Sequence, residues 1–398
     1  MRDCFLSFSP PLIGEEEINE VVDTLRSGWI TTGPKVKRFE EEFAAFISAP
    51  TALALNSCTA ALHVALTTLH IGPDDVVITT PMSFCSSVHV IEHVGATPVL
   101  VDIDPDTLNI DPMQIARVLE QTGSRQWKPH CKNPRPKAIM LVHLYGNPCD
   151  MDPILKLAGE YELAIIEDAA HALPARYKGR MIGTVGTFTA FSFYATKNLT
   201  TAEGGMLTGP PELLDEARIW SLHGMSRDAY KRYGTNGSWY YEVTLPGFKY
   251  NMTDIQAAIG LHQLRKLLQF QARRREIVRR YNEAFSQFEE LQIPTEQPEV
   301  EHAWHLYVLR LNLELLNISR NQFIEELKAR NIGASVHFIP VHLHTYYRNK
   351  YGYKHDDFPV AYWEYQRIIS LPLYPRMTGR DVNDVIEAVC DVVEKFRR

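Results

Sequence analysis

The sequence has no excess of positive charge. Its 398 residues include 41 Lys and Arg against 48 Asp and Glu, which gives a formal net charge of −7. A general nucleic-acid-binding protein would show a basic excess or a basic stripe. We therefore expect no nucleic-acid partner, although a local basic pocket for a phosphorylated ligand is compatible with this charge.

Long apolar segments and paired cysteines are also missing. No run reaches the 18 apolar residues of a membrane-spanning helix, and residues 1–17 lack the apolar core of a signal peptide. The six cysteines are scattered, with no CxxC pair and no zinc-ligand spacing. We therefore expect free thiols, no metal site, no membrane partner and a cytoplasmic location.

The apolar pattern that is present predicts an α/β fold. Charged residues make up 22% of the chain and hydrophobic residues 45%, which excludes global disorder. Between about residues 13 and 210, apolar strand patterns such as 138–146 and 163–170 alternate with helical patterns such as 15–26. This alternation is typical of a mostly parallel sheet covered by helices.

The alternation of strands and helices ends at a long helix predicted at 254–285. The elements predicted after this helix are typical of a smaller α+β unit. We therefore predict a large domain at 1–255 and a small C-terminal domain at 256–398. Two polar stretches, 121–137 and 207–250, are predicted to be mainly loop. The elements predicted for the small domain are a strand and two helices, at 305–311, 320–330 and 379–398.

Two features of the large domain could hold a planar phosphorylated ligand. A turn of small residues at 56–62 joins a strand to a helix, so the N–H groups of Thr59 and Ala60 would point out of the helix N-terminus. The alternative is an ordinary N-cap. Phe84 follows another strand and could stack on a ring, or it could belong to the core.

Two further features carry reactive groups. Asp168 ends an apolar strand, where ligands of open α/β sheets bind, and His171 follows three residues later. The alternative is that Asp168 caps a helix. Lys197 follows the next apolar strand and precedes the turn Gly204-Gly205. Beside a buried carboxylate it could act as a nucleophilic amine, and the alternative is a solvated loop lysine.

An amine, an acid, an aromatic face and a phosphate cradle together fit pyridoxal phosphate (PLP). The sequence resembles the DegT family of nucleotide-sugar aminotransferases, which are PLP enzymes of the aspartate aminotransferase fold. The resemblance covers nearly the whole chain. Its main segments are 27–44, 56–66, 95–111, 166–172, 191–206, 247–264, 302–311, 335–342 and 370–375.

The resemblance implies roles for these residues. Lys197 would be the lysine joined to the cofactor, Asp168 would hold the ring nitrogen, and His171 would lie by the phenolic oxygen. Cys58 stands where the family usually has glycine, with little effect expected. Contacts to the phosphate or the ring are implied for Ser192, Thr59, Ala60 and Phe84.

The resemblance also implies a homodimer with shared active sites. The segment 247–251 reads GFKYN where Gly-x-Asn-x-Arg is more common, and it would reach the partner's cofactor phosphate. Whether Lys249 or Asn251 makes that contact stays open. His302 and His305 are assigned to the framework of the small domain. Substrate contacts are suggested for Trp29, Thr31, His337 and His342, with a purely structural role as the alternative for both histidines.

The expected activity is transfer of an amino group from glutamate to a nucleotide-linked keto sugar, in amino-sugar and polysaccharide biosynthesis. The GFKYN variant together with 335–342 favours a 4-keto-6-deoxy hexose. Lys231 and Arg232 are further candidate partners of the diphosphate, and the alternative is that both are solvated loop charges. A 3-keto sugar or a cyclitol ketone is an alternative. A sugar dehydratase or a regulatory homologue is disfavoured, because Lys197 is present with Asp168 and His171.

Overall fold

A computed structural model describes residues 2–122, 131, 134–225 and 240–398. Most of the loop predicted at 121–137, part of the loop predicted at 207–250 and the candidate cations Lys231 and Arg232 lie outside the described residues. Within the described ranges the helices are α1 (Glu15–Ser27), α2 (Pro34–Ile47), α3 (Cys58–Thr68), α4 (Ser86–His93), α5 (Pro112–Gln121), α6 (Met151–Glu160), α7 (Pro211–Ser221), α8 (Asp254–Phe285), α9 (Arg320–Ala329), α10 (Thr345–Tyr351), α11 (Pro359–Arg367) and α12 (Gly379–Phe396).

The strands form one large sheet and two small ones. They are β1 (Ala52–Leu55), β2 (Asp75–Thr79), β3 (Thr97–Leu100), β4 (Arg135–Val142), β5 (Ala164–Asp168), β6 (Arg176–Tyr177), β7 (Arg180–Met181), β8 (Phe188–Ser192), β9 (Gly205–Thr208), β10 (Leu291–Gln292), β11 (Val300–Glu301), β12 (Tyr307–Leu311) and β13 (Ile368–Leu371).

The large sheet is mostly parallel, as predicted. Its seven strands run in the order β1-β9-β8-β5-β4-β2-β3, and β9 alone is antiparallel to its neighbours. Alternate residues of β1 pack into different apolar cores, Ala52 and Ala54 into one and Leu53 and Leu55 into the other. Both faces are therefore covered, which explains why the strands read as continuous apolar runs.

The long helix α8 connects two cores. Leu261 and Leu267 pack into the core of the large sheet, whereas Tyr281 and Phe285 pack against the antiparallel sheet β10-β12-β13. The change of core therefore lies within α8, and the division at residues 255 and 256 stays a prediction. No helix in the described ranges has both the length and the apolar character needed to cross a membrane.

Two stretches predicted as loop contain regular structure. In 207–250, the helix α7 begins at Pro211, a residue that suits the first turn because its fixed φ is helical and it needs no N–H partner. In 121–137, the last three residues already belong to β4, where Arg135 pairs with Asp75 of β2. These first residues of β4 are exposed or half-buried, so polar side chains are tolerated there while the backbone pairs with β2.

The first helix turns its polar side inward. Glu17 is buried and accepts hydrogen bonds from Gln263 and Lys266 of α8. Of the apolar residues at helical spacing, Val21 and Val22 are half-buried, whereas Ile18 and Leu25 are 47% and 55% exposed. The pattern predicted the helix correctly, but the described residues leave Ile18 and Leu25 of its apolar face uncovered.

We expect Phe43→Ala to destabilise the large domain. Phe43 is fully buried and meets Phe191 and Phe193 edge-on, with ring centroids 5.2 and 5.6 Å apart. Removing a buried phenyl ring costs about 3–5 kcal/mol, measurable by denaturant unfolding. The control Phe5→Ala removes a ring that is 53% exposed and should cost less than about 1 kcal/mol. Equal losses in the two variants would contradict this packing.

Candidate active site

A cavity of about 470 Å³ opens at the carboxyl ends of β5 and β8, next to the N-terminus of α3. This is the edge at which open α/β sheets bind ligands. Seven of the predicted site residues line it. They are Lys197, Asp168, His171, Thr59, Phe84, Ser192 and His337.

Asp168 is a buried carboxylate with both oxygens engaged. Its Oδ2 accepts a hydrogen bond of 2.6 Å from Ser87 Oγ, and its Oδ1 accepts one of 3.1 Å from the N–H of Ala170. The Cys58 thiol lies 3.9 Å from Oδ1. The residues after Asp168 form turns rather than a helix, so the alternative role as a helix cap is not supported. The carboxylate is held by protein on one side and borders the cavity on the other.

Lys197 presents an amine to the same cavity. Burial lowers the pKa of Lys197 to about 8, although the negative charge of Asp168 acts in the opposite direction. A solvated loop lysine would keep the usual pKa of about 10.4. A fraction of the amine is therefore neutral near pH 7, as a nucleophile or a proton acceptor must be.

His171 is held as a neutral ring in one tautomer. The backbone N–H of Tyr145 donates to its Nδ1 at 3.1 Å, so the ring hydrogen lies on Nε2. Burial, with smaller contributions from Lys197 and His337, keeps the pKa of His171 well below its usual value. The ring packs on His305, with centroids 4.5 Å apart. His171 can therefore donate one hydrogen bond without bringing a charge.

The N-terminus of α3 forms a cradle of polar groups. Ser57 is its N-cap and accepts a 3.1 Å hydrogen bond from the N–H of Ala60, so the N-cap interpretation is correct. A Cβ on Gly205 would lie 2.4 Å from the carbonyl carbon of Ser57. The strand β9 can therefore pack closely against the turn at Ser57 only because residue 205 has no side chain. Thr59 and Ser192 face the cavity beside this turn. First-turn amides with nearby hydroxyls fit a phosphate group.

Phe84 and His337 lie at the cavity, whereas His342 does not. Phe84 is 58% exposed and lies at the cavity, 5.8 Å from the ring of Phe338. His337 also lines the cavity, and burial lowers its pKa to about 4. His342 does not reach the cavity, because it is fully buried and packs on Phe358 with centroids 4.8 Å apart. Of the two, only His337 is positioned for a ligand.

The other predicted contacts lie together outside this cavity. Lys249 donates to Asn251, whose amide donates to Thr32 Oγ1 at 2.6 Å. Trp29 and Thr31 belong to the same loop as Thr32. We call residues 29–32 and 249–251 the Asn251 patch. It is a surface next to α1 that carries polar side chains together with the exposed Ile30, rather than part of the chain's own cavity.

Sequence reasoning missed several cavity residues, including His305. The prediction that His305 belongs to the framework is wrong in this respect, since its ring lines the cavity and its Nδ1 lies 3.1 Å from Asn198 Oδ1. No spacing signal in the sequence could have placed it there, because the contact joins residues 107 positions apart. His302 does belong to the framework, where it stacks on Trp304 with centroids 4.0 Å apart.

These groups fit PLP. Lys197 can hold its aldehyde, Asp168 its ring nitrogen and the α3 N-terminus its phosphate. When bound, PLP supplies an electron-withdrawing ring that side chains cannot provide. The fold and the site therefore define a PLP-dependent aminotransferase. In the described residues no group of His, Cys, Asp and Glu is arranged for a metal ion.

The chain belongs to the DegT/DnrJ/EryC1/StrS aminotransferase family, whose model matches residues 11–390. It is 54% identical to the spore coat polysaccharide biosynthesis protein SpsC of Bacillus subtilis, over 99% of this chain and 98% of that protein. The members similar to it include sugar aminotransferases, and the chain is a PLP-dependent sugar aminotransferase.

Two solved structures support this assignment. The PLP form of Spr1654 from Streptococcus pneumoniae superposes with a TM-score of 0.87 at 38% identity, covering 98% of this chain and 99% of that one. PseC of Helicobacter pylori, an aminotransferase involved in the biosynthesis of pseudoaminic acid, superposes with a TM-score of 0.88 at 26% identity, covering 98% and 100%.

We expect the amine of Lys197 to titrate near pH 8 in the cofactor-free protein. Acylation at a series of pH values, read at each lysine by mass spectrometry, should give a midpoint near 8 for Lys197. Asp168→Asn should move this midpoint lower, because the carboxylate raises the pKa of the amine. Lys35 serves as the internal control, since hydrogen bonds to Asp23 and Glu20 outweigh burial and raise its pKa. Equal midpoints for the two lysines would contradict the geometry.

Proposed function

We propose that this enzyme transfers the amino group of glutamate to the keto group of a nucleotide-linked sugar and so forms an amino sugar. The observation that carries the proposal is the meeting of Lys197, Asp168 and the α3 N-terminus in one cavity. The similarity to SpsC and PseC supports a sugar as the amino acceptor.

We assign the proton transfers to Lys197. Its lowered pKa would let the free amine of Lys197 take up the proton lost from the α-carbon of the donor and return it to the carbon that carried the cofactor's aldehyde oxygen. Asp168 would hold the ring nitrogen protonated, and the Nε2 hydrogen of His171 would be donated to the phenolic oxygen. The remaining cofactor contacts are proposed for Thr59, Ala60, Ser192 and Phe84, and a substrate contact for His337.

The charges of the cavity support a site that a second chain completes. Among the described residues that line it, Lys197 is the only Lys or Arg, while Asp168 and Glu203 are acidic. Glutamate carries two carboxylates and a nucleotide diphosphate carries about two negative charges, which need positive or N–H partners. Cations from a second subunit would meet this need.

We propose that a second copy of the chain supplies these cations. Ile18 and Leu25 leave an apolar face on α1, and the chain runs directly from this helix into the Asn251 patch. An exposed apolar face beside a polar patch is typical of an interface. In a homodimer the Asn251 patch would then face the partner's cavity, with Lys249 near the phosphate and Trp29 and Thr31 near the sugar.

For the acceptor we propose a 4-keto-6-deoxy hexose. The support is the GFKYN reading of 247–251 together with the loop 335–342, of which His337 reaches the cavity. Discrimination between sugars would come from hydrogen bonds to ring hydroxyls, because a buried polar group left unpaired is costly. A 3-keto sugar or a cyclitol ketone is the competing acceptor.

A single-turnover half-reaction tests the acceptor. The enzyme is converted to its amino form with glutamate, freed of excess donor and mixed with 4-keto and 3-keto nucleotide sugars and a cyclitol ketone separately. The 4-keto sugar should restore the absorbance of the PLP form of the enzyme. If only the 3-keto sugar or the cyclitol ketone restores this absorbance, the proposed acceptor is refuted. If glutamate does not convert the enzyme to its amino form, the proposed donor is refuted.

Subunit complementation tests the shared site. Lys197→Ala should abolish turnover, and Lys249→Ala should weaken cofactor retention. A heterodimer of the two variants has one site with both lysines intact, so about half of the activity of the unmodified dimer should return. A monomer with full activity, or a heterodimer without recovery, would contradict the shared site.

A further inference from the structure

Ser87 lies directly behind the carboxylate of Asp168. It belongs to α4, is fully buried, and does not line the cavity. Its Oγ is 2.6 Å from Asp168 Oδ2 and 2.7 Å from Ser83 Oγ. Ser83, Ser87 and Asp168 form a continuous hydrogen-bonded chain from the cavity wall to the carboxylate. None of the proposed cofactor or substrate contacts involves Ser83 or Ser87.

The direction of these hydrogen bonds follows from their chemistry. An ionised carboxylate only accepts, so the hydroxyl of Ser87 donates to Asp168. The carbonyl of Phe84 is a second acceptor, but it lies at 3.3 Å and carries no charge. The short bond to the charged oxygen is the stronger one. Ser83 then donates to Ser87, which has no other hydrogen to give.

We propose that Ser87 is a positioning residue that orients Asp168 toward the ring nitrogen of PLP. Ser87 holds Oδ2 while the N–H of Ala170 holds Oδ1 at 3.1 Å, so the plane of the carboxylate is fixed. A lone pair remains on the side of the cavity. The inference rests on the proposed role of Asp168, and it concerns a residue that touches neither cofactor nor substrate.

Cofactor binding to the apoprotein tests this role without turnover. Ser87→Ala is titrated with PLP and with an analogue in which a C–H group replaces the ring nitrogen. A hydrogen bond to a charged group is strong, so PLP should bind about tenfold more weakly or worse. The analogue offers Asp168 no N–H, so its affinity should change by less than about twofold. Ser87→Thr keeps the hydroxyl and should restore PLP binding.

Ser221→Ala is the matched control. Ser221 is also a buried helical serine, and its hydroxyl donates to the carbonyl of Arg218 at 2.8 Å in α7. It should leave both affinities unchanged, and thermal unfolding checks that all variants fold. Equal weakening of PLP and the analogue by Ser87→Ala would show a purely structural role and overturn the proposal, as would no weakening of either.

Asp168→Ala separates this inference from the proposed function. If Asp168→Ala removes the preference for PLP over the analogue and Ser87→Ala does not, only the role of Ser87 fails. If Asp168→Ala also leaves the preference intact, the assignment of Asp168 itself fails and the role of Ser87 falls with it.

Discussion

The charge of Asp168 at the end of a buried strand is the constraint on which the site depends. A carboxylate there is costly unless donors and a positive partner surround it. The structure provides two neutral donors, Ser87 and the N–H of Ala170, and places the amine of Lys197 across the cavity. The same carboxylate keeps the pKa of that amine from falling further, so acid and amine constrain each other.

Glu167, the residue before Asp168, is a carboxylate with a structural role only. Glu167 points to the opposite face of β5, since side chains alternate along a strand. Its oxygens accept hydrogen bonds from Gly186 at 2.7 Å, Thr189 at 2.7 Å and His143 at 2.9 Å, entirely within the core. Glu167 is fully satisfied and faces no cavity, whereas Asp168 keeps one side free for a ligand.

Features with a local signal could be predicted from the sequence. The apolar pattern predicted the strands and the long helix. It also placed Asp168 at the end of a strand and Lys197 in the loop after the next strand. Ser87 and Asp168 are 81 positions apart, so their hydrogen bond has no local pattern. The side-chain direction of His342 was likewise set by packing on Phe358, which the sequence does not reveal. The role that we propose for the Asn251 patch depends on a second copy of the chain, which a single sequence does not reveal.

The three histidines that line the cavity limit its positive charge. Burial keeps the pKa values of His171, His305 and His337 low, so these rings offer hydrogen bonds but no positive charge. Positive rings beside Lys197 would lower its pKa further and raise the cost of burying its charged form. The neutral histidines therefore keep the amine of Lys197 reactive, but they add no positive charge to the cavity with which to bind anionic ligands. The α3 N-terminus can compensate for one phosphate. Among the described residues that line the cavity, no Lys or Arg other than Lys197 is present to meet the remaining negative charge. In the homodimer that we propose, the Asn251 patch of the second subunit would meet this charge without adding a cation to the cavity wall.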